Sequence, residues 1–293
     1  MKRSTLLFWL TGAAVAIGFG ALVAKWVPGG SALHAAPAPS SRTASTGQRK
    51  PYLLKFVQNP ELVPPFSVQS FTGQTLNPAE WRGKVVILNF WATWCGPCRY
   101  EIPELMAMQK QFQGSLQVVG LSVDDLPAPQ VKSFIGQFGV NYPVAMADEK
   151  VQDEFGGILA LPTTFIIDRQ GRVVTKHIGL VPRDYYDAEI AYLAGQPVDA
   201  KVQRFVDVGQ VFPANVKNAT SLPGVDLSHL TPAQRKLALK EMNQMRCTCG
   251  CGYTIAQCRV LDSGCPISLK IAQQVVANIA RGRPVSAPAK ATR

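Results

Sequence analysis

The pentapeptide Trp94-Cys95-Gly96-Pro97-Cys98 follows the apolar run Val85-Val86-Ile87-Leu88 and opens a segment, Tyr100 to Phe112, with helical spacing. Two cysteines therefore stand where a buried strand ends and a helix begins. A thiolate, not a thiol, attacks a disulfide, and a helix N-terminus offers unpaired N–H groups and about half a positive charge to stabilise it. Two intervening residues let a second sulfur return and displace the first from a mixed disulfide. On that logic Cys95, at the helix start, is the attacking thiol, and Cys98, one turn inside, is the resolving one. Cys95 is accordingly expected to be the exposed member of the pair.

The same spacing serves zinc sites and structural disulfides. No second Cys-x-x-Cys lies in this part of the chain, however, and no histidine is near. The run Asn89-Phe90-Trp91-Ala92-Thr93-Trp94-Cys95-Gly96-Pro97-Cys98 resembles the thioredoxin superfamily. It resembles most closely the membrane-anchored TlpA/ResA-like branch, which includes the thioredoxins of cytochrome c maturation. The resemblance covers residues 62–195. It implies a thioredoxin-like α/β fold, with a central mixed β-sheet flanked by helices, and thiol-disulfide oxidoreductase activity needing no cofactor in that domain. Pro103 matches the family's proline inside the active-site helix, where it removes one intrahelical hydrogen bond. Leu161-Pro162-Thr163-Thr164-Phe165 matches the family's cis-proline segment. The resemblance thus implies that Pro162 lies against the cysteine pair and helps present the substrate; the alternative is a trans proline that merely starts the strand Thr163–Ile167. Gly96-Pro97 matches the most reducing thioredoxins, which poise near about −270 mV.

Ordinary thioredoxins carry a buried aspartate before the motif; here that residue is Asn89. The TlpA/ResA-like branch instead has a glutamate three residues after the second cysteine, here Glu101. One helical turn beyond Cys98, a partly buried Glu101 would have a raised pKa and could take the Cys98 proton as that thiol attacks. The alternative is a solvated glutamate favoured only by the helix dipole. Glu104 is expected to be exposed.

The chain has 293 residues, enough for about two domains, and a net charge of +11. That charge is uneven. Residues 1–51 and 198–293 are basic, and residues 52–197 are mildly acidic. A basic flank suits lipid headgroups or an acidic partner, and nothing in the core points to nucleic acid. Lys2-Arg3 precedes an uncharged apolar stretch from Leu6 to Ala24. That is close to the ~20 residues that span a bilayer, and longer than a usual signal-peptide core. We read residues 1–27 as an uncleaved signal anchor with a cytoplasmic N-terminus, a single transmembrane helix. Residues 28–51, rich in Pro, Ala and Ser, read as a linker. The expected location is the cytoplasmic (inner) membrane with the catalytic domain on the periplasmic, extracytoplasmic side, where disulfide chemistry is permitted.

Within the thioredoxin-like domain, 52–197, the pattern gives a hairpin around Thr72-Gly73-Gln74 and a buried strand Val85–Phe90. After the Cys95 helix it gives strand Gln117–Val123, helix Ala128–Phe138, a short strand at Pro143–Ala147 and helix Val151–Phe155. Strands Thr163–Ile167 and Val173–Ile178 and helix Arg183–Leu193 follow.

The tail, 198–293, is expected to be a small helical cysteine-rich module. Thr231-Pro232 reads as an N-cap and first-turn proline, with a helix to about Arg246 and another from Cys265-Pro266 to about Ala280. Five of the seven cysteines, Cys247, Cys249, Cys251, Cys258 and Cys265, fall in this tail. Any four could bind zinc, or thiolates could select copper(I). They could equally form two disulfides with one thiol left over. Thirdly, Met245-Arg246-Cys247 and the following helix resemble the CcmH-like module that handles apocytochrome thiols, although that family has Cys-x-x-Cys where this chain has Cys-x-Cys-x-Cys.

The whole chain therefore reads as a tethered protein-disulfide reductase. By family resemblance its partners would be an oxidised, apocytochrome c-like substrate and a membrane thiol electron donor. A peroxidase reading is weaker, since Thr93-Trp94-Cys95 is not Thr-x-x-Cys. A non-enzymatic alternative is a zinc or copper delivery protein with an accessory thioredoxin domain.

Overall fold

Seven consecutive residues, Val85 to Trp91, are buried to the last side chain, and the fold is arranged around them. The computed structural model describes residues 50–285, all within one compact unit, Arg49–Arg293. The expected transmembrane helix, 1–27, and nearly all of the linker lie outside the described residues. Among the described residues no helix is long and apolar enough to cross a membrane.

In chain order the elements are strands β1 (Tyr52–Val57), β2 (Val68–Gln69), β3 (Thr75–Leu76) and β4 (Val85–Trp91), helix α1 (Gly96–Gln111), and strand β5 (Leu116–Ser122). Helix α2 (Ala128–Phe138), strand β6 (Val144–Met146), helix α3 (Glu149–Glu154), strands β7 (Thr163–Ile167) and β8 (Val173–Ile178), and helix α4 (Arg183–Leu193) complete the expected domain. Beyond it lie strand β9 (Ala200–Phe205) and helices α5 (Pro232–Gln244), α6 (Ile255–Leu261) and α7 (Pro266–Ala280). A five-stranded sheet in the order β6-β5-β4-β7-β8 pairs β4 in parallel with β5 and antiparallel with β7. This is the expected central mixed sheet flanked by helices.

A central strand covered on both faces should be a continuous apolar run, and β4 is one. Its residues alternate between two cores. Val85, Ile87 and Trp91 pack with Cys98, Ile102 and Leu105 of α1 and Tyr186 and Ile190 of α4. Val86, Leu88 and Phe90 join Phe155 and Phe165 on the other face. Each such aliphatic or aromatic side chain contributes about 1.5–3 kcal/mol through burial. The one polar residue of the strand, Asn89, falls in register opposite Thr164 of β7.

Two strands have no counterpart in the sequence reading. β1 pairs in parallel with β9, Tyr52 opposite Ala200, so the chain just past residue 197 returns to the start of the domain. The segment that follows also packs on the core. Val211 is buried in the Phe90 cluster, Phe212 stacks on Phe165, and Lys176 Nζ donates to the Val211 carbonyl at 3.1 Å. Gly156, at φ +81°, lies so close to Pro213 that any Cβ there would collide with the proline ring.

The rest of the tail has its own core, in which Leu222, Leu227, Ala238, Met242, Ile255, Ile271 and Val275 are buried with Cys247, Cys258 and Cys265. Thr231 caps α5 and Thr254 caps α6, each in a reciprocal capping box with the glutamine three residues on, Gln234 and Gln257.

Candidate active site

Cys95 is the N-cap of α1, and its Sγ accepts a hydrogen bond from the Cys98 N–H at 3.2 Å. The sulfur therefore sits where the orphan N–H groups of the helix converge, as the strand-to-helix junction requires. Cys95 and Cys98 form a disulfide with Cα atoms 5.3 Å apart. In this disulfide form Cys95 is buried, with 4% of its surface exposed, against none for Cys98. It lies within a groove of about 650 Å³ whose walls include Trp94, Pro97, Val123 and the segment Ile158 to Leu161. Those walls cover the sulfur, while Trp94 beside it is 69% exposed.

The Leu161–Pro162 bond is cis, and Pro162 is buried directly ahead of β7. Leu161 lines the same groove as Cys95.

Glu101 is buried. Asn89 Nδ2 donates to its Oε2 at 2.8 Å and to Thr164 Oγ1 at 2.9 Å, and the Tyr186 hydroxyl donates to Oε1 at 3.1 Å. Asn89, the residue standing where ordinary thioredoxins carry an aspartate, thus serves as a donor to Glu101. Burial pushes the Glu101 carboxyl up to about 7, against the opposing pull of the Tyr186 and Asn89 hydrogen bonds and the charge of His177. His177 stands edge-on to the Tyr186 ring and bonds Glu189 at 2.9 Å. Tyr186 and His177 come from a helix and a strand remote in sequence and no motif marks them, while Thr164 falls in the cis-proline segment but without any sign that it faces Asn89. Glu104 is exposed, as expected, and pairs with Arg183 at 2.9 Å.

In the tail the sulfurs of Cys247, Cys249, Cys258 and Cys265 all lie within 4.8 Å of one another. Cys251, included among the candidate ligands from sequence, is not in this group of four, although its thiol contacts those of Cys249 and Cys258 at the edge of the cluster. None of the five forms a disulfide. Cys265 is the N-cap of α7, and although burial pushes its thiol up, hydrogen bonds from Ser268 outweigh this and bring it to about 7. Burial pushes the Cys247 and Cys258 thiols up. Four convergent thiols are a donor set for a thiophilic metal ion.

Residues 61–176 match the family model of the AhpC/TSA family. The chain is 30% identical over 129 residues to the thioredoxin-like protein YneN of Bacillus subtilis (strain 168), spanning 43% of this chain and 75% of that protein. It is 36% identical over 119 residues to the thiol-disulfide oxidoreductase ResA of Bacillus anthracis, spanning 40% of this chain and 67% of that one. A solved structure of a thiol:disulfide interchange protein, a thioredoxin family protein from Chlorobium tepidum TLS, aligns at 34% identity. It covers 47% of this chain and 98% of its own, with a TM-score of 0.44. A thioredoxin-like sheet that presents a Cys-x-x-Cys disulfide at a helix N-terminus defines a thiol-disulfide oxidoreductase. By its similarity to YneN and ResA, the chain belongs to the thioredoxin-like, ResA-type family of such enzymes. The family model ends at residue 176, well short of the tail.

Proposed function

We propose that the protein is a membrane-tethered, extracytoplasmic reductase of protein disulfides, and that the cysteines of apocytochrome c haem sites are its leading substrate class. The observation that carries the reductase reading is Glu101, buried one helical turn from Cys98 with its carboxyl near 7. A group poised there titrates where a proton must be taken up and released at neutral pH.

The cycle begins from the dithiol. The Cys95 thiolate, favoured by the α1 N-terminus, attacks one sulfur of the substrate disulfide, and the other leaves as a thiolate. Leu161, on the wall of the groove, and the cis Pro162 that follows it hold the substrate chain across Cys95. Glu101 takes the Cys98 proton, the Cys98 thiolate attacks Cys95 Sγ, and the second substrate sulfur departs. Two electrons have passed to the substrate, leaving the Cys95–Cys98 disulfide of the present structure. A membrane thiol donor must then restore the dithiol. The apolar stretch at Leu6 to Ala24 supports the tether, which would raise the enzyme's effective concentration at that donor.

Cys98→Ser tests this directly. It should stall Cys95 in a mixed disulfide with the natural partner, which mass spectrometry would identify. Recovery of no Cys95-linked protein from extracytoplasmic extracts would reject the reading.

A second reading attaches to the tail. The four convergent sulfurs favour zinc or copper(I) over the CcmH-like thiol relay and over structural bridges. If the chain is a metal delivery protein, it should bind and hand on a stoichiometric ion with Cys95 and Cys98 both changed to serine.

A further inference from the structure

Three facts about the tail converge. The first is the shape of the thiol set. Cys247 and Cys249 sulfurs are 3.2 Å apart, and Cys249 and Cys258 sulfurs 3.9 Å. Four sulfurs around zinc at about 2.3 Å have tetrahedral edges of about 3.8 Å, so small side-chain shifts complete the shell. Cys247, Cys258 and Cys265 are buried and Cys249 half-buried, which makes the shell closed.

The second fact is Arg259, which is 1% exposed. Its guanidinium donates to the Pro223 carbonyl at 2.9 and 2.8 Å, the Ser263 carbonyl at 2.6 Å, the Cys265 carbonyl at 3.1 Å and Ser268 Oγ at 3.3 Å. All of these acceptors are neutral, and among the described residues no carboxylate pairs with it. A buried cation without a counter-charge is heavily penalised. Arg259 follows Cys258 in the chain and holds the carbonyl of Cys265. Four thiolates around a divalent cation carry a net charge of −2, and that is the counter-charge the guanidinium lacks.

The third fact is Tyr253. Its backbone carbonyl accepts the Cys247 N–H at 2.8 Å, while its hydroxyl donates to the Gly156 carbonyl at 2.6 Å. Gly157, at φ +82°, leaves room for that hydroxyl, which an added Cβ would meet at 2.9 Å. From this turn the chain runs straight into Ile158 to Leu161, the wall of the Cys95 groove.

We propose that Cys247, Cys249, Cys258 and Cys265 bind one zinc-like divalent ion as a closed tetrathiolate balanced by the buried Arg259, and that the loaded cluster holds Tyr253 on the Gly156–Gly157 turn and so sets the groove wall at Cys95. The inference rests on the metal reading of the tail and makes the ion structural, not cargo. Arg259 and Tyr253 are positioning residues.

The test uses the full chain with Cys95→Ser and Cys98→Ser, purified reduced and titrated with zinc chloride against a chromophoric chelator. One zinc should bind per chain with release of thiol protons. Arg259→Met should weaken zinc binding 10- to 100-fold, the usual range for losing a residue that supports the ligands. Arg259→Lys should recover part of that loss, which separates charge from packing and serves if the Met variant folds poorly. Tyr253→Phe should leave zinc affinity unchanged yet speed protease cleavage within 156–161 to the rate seen in the zinc-free parent. A reduced chain that binds no zinc defeats the inference, and one that binds neither zinc nor copper(I) defeats the metal reading as well. Zinc binding that ignores Arg259→Met, or cleavage within 156–161 that ignores zinc and Tyr253, defeats the inference alone. Insulin reduction by the wild-type chain reports on the reductase reading independently of all three.

Discussion

Glu101 holds a proton in the fold that it would release when unfolded, since its carboxyl lies near 7 against an ordinary 4.5. Between those values the native state binds the extra proton, so stability falls as pH rises from 4.5 to 7 and levels off above. The loss should be on the order of 3 kcal/mol for the oxidised protein, measured by urea denaturation across that range. Glu101→Gln should flatten the curve; an unchanged slope would assign it to another group. The same variant should slow resolution of the mixed disulfide about 100-fold or more near neutral pH. At Cys95, burial qualifies the expected reactivity without removing it. Cys95 lines the groove at the helix terminus and keeps a small exposed surface, whereas Cys98 has none. Iodoacetamide should therefore modify Cys95 at least about tenfold faster in the reduced protein, and equal rates would dissolve the division of roles. The cysteine pair and Glu101 were legible because they lie within one helix. Thr164 and Tyr186 were not, standing 75 and 85 residues from the side chains they bond, Asn89 and Glu101.

Among elements, long strands and capped helices could be read, and the pairing of β1 with β9 could not. β7, β8, α2, α4 and the start of α7 carry strong periodicity or a first-turn proline. β9 reads Ala-Lys-Val-Gln-Arg-Phe, half-exposed and polar at alternate positions, a pattern that only its partner strand makes informative. The connection after β9 depends on Asp207. Its carboxylate accepts N–H bonds from Gly209, Val211 and Phe212 and the Asn215 side chain at 2.9–3.0 Å. Asp207→Ala strands these donors in a buried site and should cost about 2–4 kcal/mol. A shift in the denaturation midpoint within error of zero would mean that the segment does not need it.

For the whole molecule, the segment from Val206 to Pro213 is the seam. Val211 and Phe212 complete the aromatic layer around Phe90, Phe155 and Phe165, so unfolding either side exposes the other. Calorimetry of the wild type should show one transition, with Asp207→Ala separating it into two. Two transitions in the wild type would make the tail an independent body. This seam was invisible in the sequence, where a composition change near residue 197 looks like a boundary; its contacts are made by a loop with no period to detect. The parallel ladder from Tyr52 to Val57 has a further consequence, in the order of synthesis. β1 is made first and its partner β9 comes only after the five-stranded sheet is complete. At about 5–20 residues per second, β1 waits roughly 7–30 s for a neighbour. Over that interval the first strand is an unsatisfied edge on a nascent chain, and the closing of β9 alongside it is the step that ends its exposure to chaperones and to other chains.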